Sequence, residues 1–121
     1  DIEESKEFYD KVLAVLGSAP GALTVNPTGH KRYMYVVGEI MFLISEPIDG
    51  APATHGNGGT IGFNADSPEK ADAWHEAGVN SGGTTCEDPP GVREADGMKF
   101  YLAYLRDPSG NKLCALHNMQ S

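Results

Sequence analysis

The sequence predicts an α+β domain made of two copies of one βαβββ unit, packed as a cupped mixed β-sheet with helices on its outside. Three observations predict it. Two segments, 1–17 and 68 to about 80, place apolar residues at helical spacing behind a capping residue. Each is followed by short runs rich in β-branched and aromatic residues that read as strands closing into a hairpin. The two sets also overlay: Asp1-Ile-Glu-Glu-Ser-Lys-Glu-Phe-Tyr on Asp66-Ser-Pro-Glu-Lys-Ala-Asp-Ala-Trp, an offset of about 65 residues. At 121 residues the chain suits one domain, and a chain of this size buries about two-thirds of its surface on folding.

In the first helix, Asp1 and Glu4 form a capping-box-like pair. Phe8/Tyr9, Val12/Leu13 and Leu16 make one apolar face, and Gly17 supplies the stop. Residues 22–25, 31–37 and 40–45 read as strands, with Gly38-Glu39 as a two-residue type II′ turn between the last two. Residues 47–58, rich in Pro and Gly without periodicity, form a linker between a first half (1–46) and a second half (59–121) of one domain. Strand 60–65 opens the second half. Ser67-Pro68 then caps a helix whose apolar face is Ala71, Trp74, Ala77 and Val79. Residues 87–97 read as a loop, and 98–105 with 112–117 as a hairpin across Asp107-Pro108-Ser109-Gly110-Asn111. The second half has one strand more in front of its helix than the first. The repeat therefore predicts a first strand ahead of Asp1.

Charge and cysteine content narrow the partners. Nine Lys+Arg against 17 Asp+Glu give a net charge of −8, which repels a phosphate backbone and argues against nucleic acid. No apolar run approaches the roughly 20 residues of a membrane span. Two cysteines, Cys86 and Cys114, make no disulfide framework and suit a reduced, cytoplasmic protein.

The tandem βαβββ pattern resembles the vicinal oxygen chelate superfamily, the group of glyoxalases, bleomycin resistance proteins and extradiol dioxygenases. Its most specific carriers are Asp1 to Leu13, similar to that family's first helix, and Arg106-Asp107-Pro108-Ser109-Gly110-Asn111-Lys112-Leu113, similar to its last hairpin. Pro90-Gly91-Val92-Arg93 and Leu116-His117 resemble a bacterial glyoxalase-like subgroup. The resemblance implies a small-molecule site in the cup and pairing into a homodimer. It also implies a divalent metal between four positions. Here these fall ahead of Asp1, at Thr60, at or next to Phe42, and at Cys114. Thr, Phe and Cys do not make a hard-metal ligand set, so no cofactor is predicted.

Alternation along the strands assigns the cup lining. Thr60, Phe100, Leu102, Tyr104 and Cys114 fall on the face where the family holds its ligand, and Phe42 and Tyr35 are assigned to it from the first half. Arg93, on a loop that could fold over the cup mouth, is either a clamp for an anionic group or a partner for the nearby Glu87, Asp88, Glu94 and Asp96. His117 is expected on the helix side in a structural role, Glu46 is a lone candidate acid or base, and Cys114 a buried inert thiol. The expectation is a glyoxalase/bleomycin-resistance/dioxygenase-like protein that binds a small molecule in its cup without a metal. A metal-dependent lyase or dioxygenase and a non-catalytic interaction domain are the alternatives.

Overall fold

Helix α1 spans Ile2–Val15 in the computed structural model, which describes residues 1–120. Asp1 caps it, its Oδ1 accepting from the Glu3 and Glu4 backbone N–H groups at 2.9 and 3.4 Å. At its other end Ser18 N–H reaches Leu13 carbonyl and Gly17 N–H reaches Ala14 carbonyl, the paired bonds of a Schellman stop. Strands β1 (Ala22–Val25), β2 (Lys31–Val37) and β3 (Ile40–Ser45) follow, and form one antiparallel sheet in the order β1-β2-β3. After residues 46–60, which carry no helix or strand, β4 (Ile61–Asn64) leads into helix α2 (Pro68–Val79). The α2 cap is Ser67, whose side chain accepts from Lys70 N–H at 3.1 Å.

The second sheet is larger. Strands β5 (Thr84–Thr85), β6 (Gly91–Ala95), β7 (Met98–Arg106) and β8 (Lys112–Asn118) complete it in the order β4-β8-β7-β5, with β6 also paired to β7. β4 runs parallel to β8, and the other pairings are antiparallel. The expected loop at 87–97 is thus partly a strand. Asp96 and Gly97, with φ of 52° and 78°, turn β6 back onto β7 as an Asp-Gly hairpin of type I′.

Both helices lie against one face of the two sheets and leave the other face open. Phe8, Tyr9, Val12 and Leu13 of α1 meet Ala71 and Trp74 of α2 over Tyr33, Tyr35, Phe63, Ala103, Leu105, Leu113 and Ala115. The crossing of the helices is tight at Gly78. A Cβ there would stand 2.2 Å from Leu105 Cδ1 and 3.3 Å from Phe8 and Val12 side-chain atoms. Gly78 rather than Val79 is therefore the buried residue of the last turn; Val79 is 47% exposed. No helix among the described residues is long and apolar enough to cross a membrane.

Candidate functional site

Strand register decides which side chains reach the open face. In the second sheet Leu105, Ala103, Leu113 and Ala115 are buried under the helices, so their neighbours point the other way. Tyr104 pairs with Cys114, Leu102 with Leu116, and Arg93 with Phe100, and all six side chains share the open face. Gly62 lies opposite Cys114, and Thr60 is one alternation step further along, ahead of β4. Five of the expected lining residues (Phe100, Leu102, Tyr104, Cys114 and Arg93) are thus brought to one surface, and Thr60 lies just ahead of β4. Arg93 reaches it from strand β6, not from a loop over the cup mouth.

Two others are not. Tyr35 is 1% exposed beneath α1, where its hydroxyl donates to Asp10 Oδ1 at 2.8 Å. Phe42 pairs with Tyr35 in register and stacks against Tyr9 with ring centroids 4.9 Å apart, on the same helix side. The open face of the first half belongs instead to Met34, Val36, Met41 and Leu43; Val36 and Met41 are 55% and 58% exposed. Sequence reading missed these four. A strand shifted by one residue turns every side chain over, and a strand as apolar as Ile40–Ile44 gives no polar alternation to fix the face.

Around Tyr104 the open face becomes polar. Lys112 Nζ lies 5.1 Å from the Tyr104 ring centroid and pairs with Glu87. Burial, then the charges of Glu87 and Cys114, raise the Tyr104 phenol above its usual value, so it stays protonated. The Cys114 thiol, 7% exposed, is also pushed up, by burial and then by Glu87, with Lys112 opposing. That is the opposite of an activated nucleophile. Arg93 binds the Pro89 carbonyl at 2.7 Å rather than any of its acidic neighbours.

The remaining candidates have structural partners. His117 Nδ1 lies 3.0 Å from the Ala65 carbonyl on the helix side. Glu46 Oε1 accepts from the Lys31 backbone N–H at 2.7 Å.

The positions where the resemblance implies metal ligands hold Thr60, Cys114 and, once the register is corrected from Phe42, Leu43. Among the described residues no three His, Cys, Asp or Glu side chains gather as a metal site would need. The residues present do not fit a divalent metal.

A cavity of about 800 Å³ lies elsewhere, along β3 between the start of α1, the 46–54 segment and the 107–111 turn. Its lining includes Leu43, Ile44, Ser45 and Ile61, the facing margins of the two sheets. Among the described residues the outer edge of β3 pairs with no strand, whereas the equivalent edge of β8 carries β4. The cavity holds none of the groups gathered around Tyr104.

Comparison with known proteins agrees with this architecture. Residues 1–115 match the family model of the Glyoxalase/Bleomycin resistance protein/Dioxygenase superfamily. A crystal structure of a glyoxalase/bleomycin resistance protein from Albidiferax ferrireducens T118 is 56% identical, with a TM-score of 0.87 over 98% of this chain and 91% of that one. A glyoxalase/bleomycin resistance protein/dioxygenase family enzyme from Burkholderia phytofirmans PsJN shares the fold at 19% identity and TM-score 0.69, over 98% of this chain and 91% of its own. So does a genomically encoded fosfomycin resistance protein from Listeria monocytogenes, at 13% identity and TM-score 0.66, over 100% and 85%. No curated protein matches the chain.

Proposed function

Because this chain belongs to the glyoxalase/bleomycin resistance protein/dioxygenase superfamily, we propose that it binds a small molecule on the open face of its sheets, between apolar walls, without a metal and without covalent chemistry. One observation carries the reading. The face that the fold keeps free of helices has apolar and aromatic side chains with a few polar groups, the composition of an ordinary ligand site, where a metal enzyme would need converging carboxylates and imidazoles. Cys114, the thiol nearest the centre of that face, has its pKa raised rather than lowered, which supports binding over nucleophilic catalysis.

We read the protein as cytoplasmic and as a homodimer. Two free cysteines support the first and the habit of the superfamily supports the second. Metal analysis of protein purified without chelator tests the central claim. The expected content is far below one equivalent, and a stoichiometric metal would replace this reading with a metal-dependent lyase or dioxygenase. A thermal-shift screen against small apolar acids and thiol conjugates tests binding. A ligand in excess of its Kd raises Tm, and no response across the screen would favour an interaction domain instead.

A further inference from the structure

All three arginines of this acidic chain, Arg32, Arg93 and Arg106, stand on the open face, and none has a carboxylate partner among the described residues. Arg32 binds the Ser45 hydroxyl, Arg106 the Gly110 carbonyl and Arg93 the Pro89 carbonyl, all neutral oxygens. The 17 acidic residues avoid the strands of this face. The one acid within a strand, Glu94, points to the opposite side from Arg93. On a chain of net charge −8 this leaves a locally positive surface inside a negative molecule.

The tyrosines show the same pattern. Four of the five donate their hydroxyl to a carboxylate: Tyr9 to Asp107, Tyr33 to Glu3, Tyr35 to Asp10 and Tyr101 to Asp72. Tyr104 alone donates to nothing among the described residues, and it faces the open side. Arg93 extends past Gly91, which pairs with Leu102, toward Pro89, and so runs along β7 in the direction of Tyr104.

We propose that Arg93 and Tyr104 together hold the carboxylate of a small apolar acid whose hydrocarbon part lies over Phe100, Leu102 and Leu116. Two neutral carbonyls occupy part of the Arg93 fork, leaving further N–H donors for one anionic group. Lys112 is already balanced by Glu87 and Arg106 is held at the Gly110 carbonyl of the β7–β8 turn, so Arg93 is the guanidinium assigned to the anion. The Glu87 carboxylate beside Lys112 favours a monoanionic carboxylate over a dianionic phosphate. The assignment rests on the open face being a binding site, and it specifies what binds there.

The test is an NMR titration of the whole protein with 3-phenylpropionate, its amide and the corresponding amine, repeated on R93Q and Y104F. The acid is expected to bind at least tenfold more tightly than the amide, with shifts centred on β6, β7 and β8. R93Q should remove most of that preference and Y104F part of it, while amide affinity stays within twofold. Equal binding of acid and amide, or a preference that survives both substitutions, overturns the carboxylate clamp and leaves the binding site standing. If none of the three probes binds the unsubstituted protein, both readings fall.

Discussion

The two helices meet their sheets in opposite ways. Helix α1 is tied to β2 through ionised groups. Glu3 accepts from Tyr33 at 2.8 Å and faces Lys31 Nζ at 3.3 Å, while Asp10 accepts from Tyr35, from Gly21 N–H and from Lys6. Helix α2 relies on shape. Ala71 and Gly78 are small enough to let Trp74 lie flush against the second sheet, fully buried, and its polar links, Asp72 to Tyr101 and His75 to Thr85, lie at the margin. The same repeat position holds Tyr9 in α1 and Trp74 in α2. Tyr9 donates to Asp107 at 2.5 Å, whereas the Trp74 Nε1–H has no partner among the described residues. One unit has therefore been stabilised by charge-assisted hydrogen bonds and the other by close packing, and the two should fail under different stresses.

Core changes on the α2 side should have the largest effect. Trp74→Ala is expected to cost about 3–5 kcal/mol, and Gly78→Ala about 1–3 kcal/mol because Leu105, itself fully buried, has little room to move. Thermal unfolding measures both, at roughly 3–5 °C per kcal/mol for a chain of this length. A Gly78→Ala variant as stable as the parent would mean that the helix crossing is looser than described.

Acid should act on the α1 side. Burial raises the Asp10 carboxyl, but the Gly21, Lys6 and Tyr35 bonds outweigh it and leave the group below its usual value; Glu3 is lowered chiefly by Tyr33. A depressed folded pKa gives stability that is present above the unfolded value near 4 and is lost as pH falls through the folded one. Below about pH 4, amides of β2 should therefore lose hydrogen-exchange protection before the fluorescence of Trp74, the single tryptophan, changes. Asp10→Asn should flatten that acid limb and lower stability at neutral pH. Simultaneous loss of both signals would show one cooperative unit without a weaker half.

The smallest effect belongs to Tyr33→Phe, a change in Tm close to the error of thermal unfolding at neutral pH, because the Glu3 carboxylate keeps Lys31 and solvent. A larger loss would mean that the exposed tie to β2 matters as much as the buried one at Tyr35.

Much of this architecture was legible before any coordinates. Strands 22–25, 31–37 and 40–45 fall where β-branched runs and the Gly38-Glu39 turn put them, and both helices start at the expected caps, because these signals are local. What failed depended on neighbours. β6 lies where the Pro89-Pro90-Gly91 breakers predict a loop, although Asp96-Gly97 between two extended runs is itself a hairpin signal. Tyr35 and Phe42, expected in the cup, face the helices, because the face of an apolar strand depends on where a helix docks. Arg93 and Tyr104 could be named as candidates from sequence. That, among the described residues, Arg93 binds only carbonyls and Tyr104 donates to nothing required the whole hydrogen-bond network.

The carboxylate of Asp107 joins parts of the chain that are far apart in sequence. It accepts from Tyr9, 98 residues away, and from the backbone and side chain of Asn111, while Asn111 Oδ1 accepts from Gly56 N–H in the connecting segment. A contact of that span closes almost the whole chain into a loop, so its entropic cost is met only once both halves are in place. It should therefore form after the rate-limiting step of folding. Asp107→Asn should then accelerate unfolding and leave the refolding rate nearly unchanged, so that this carboxylate governs how long the native state lasts rather than how fast it is reached.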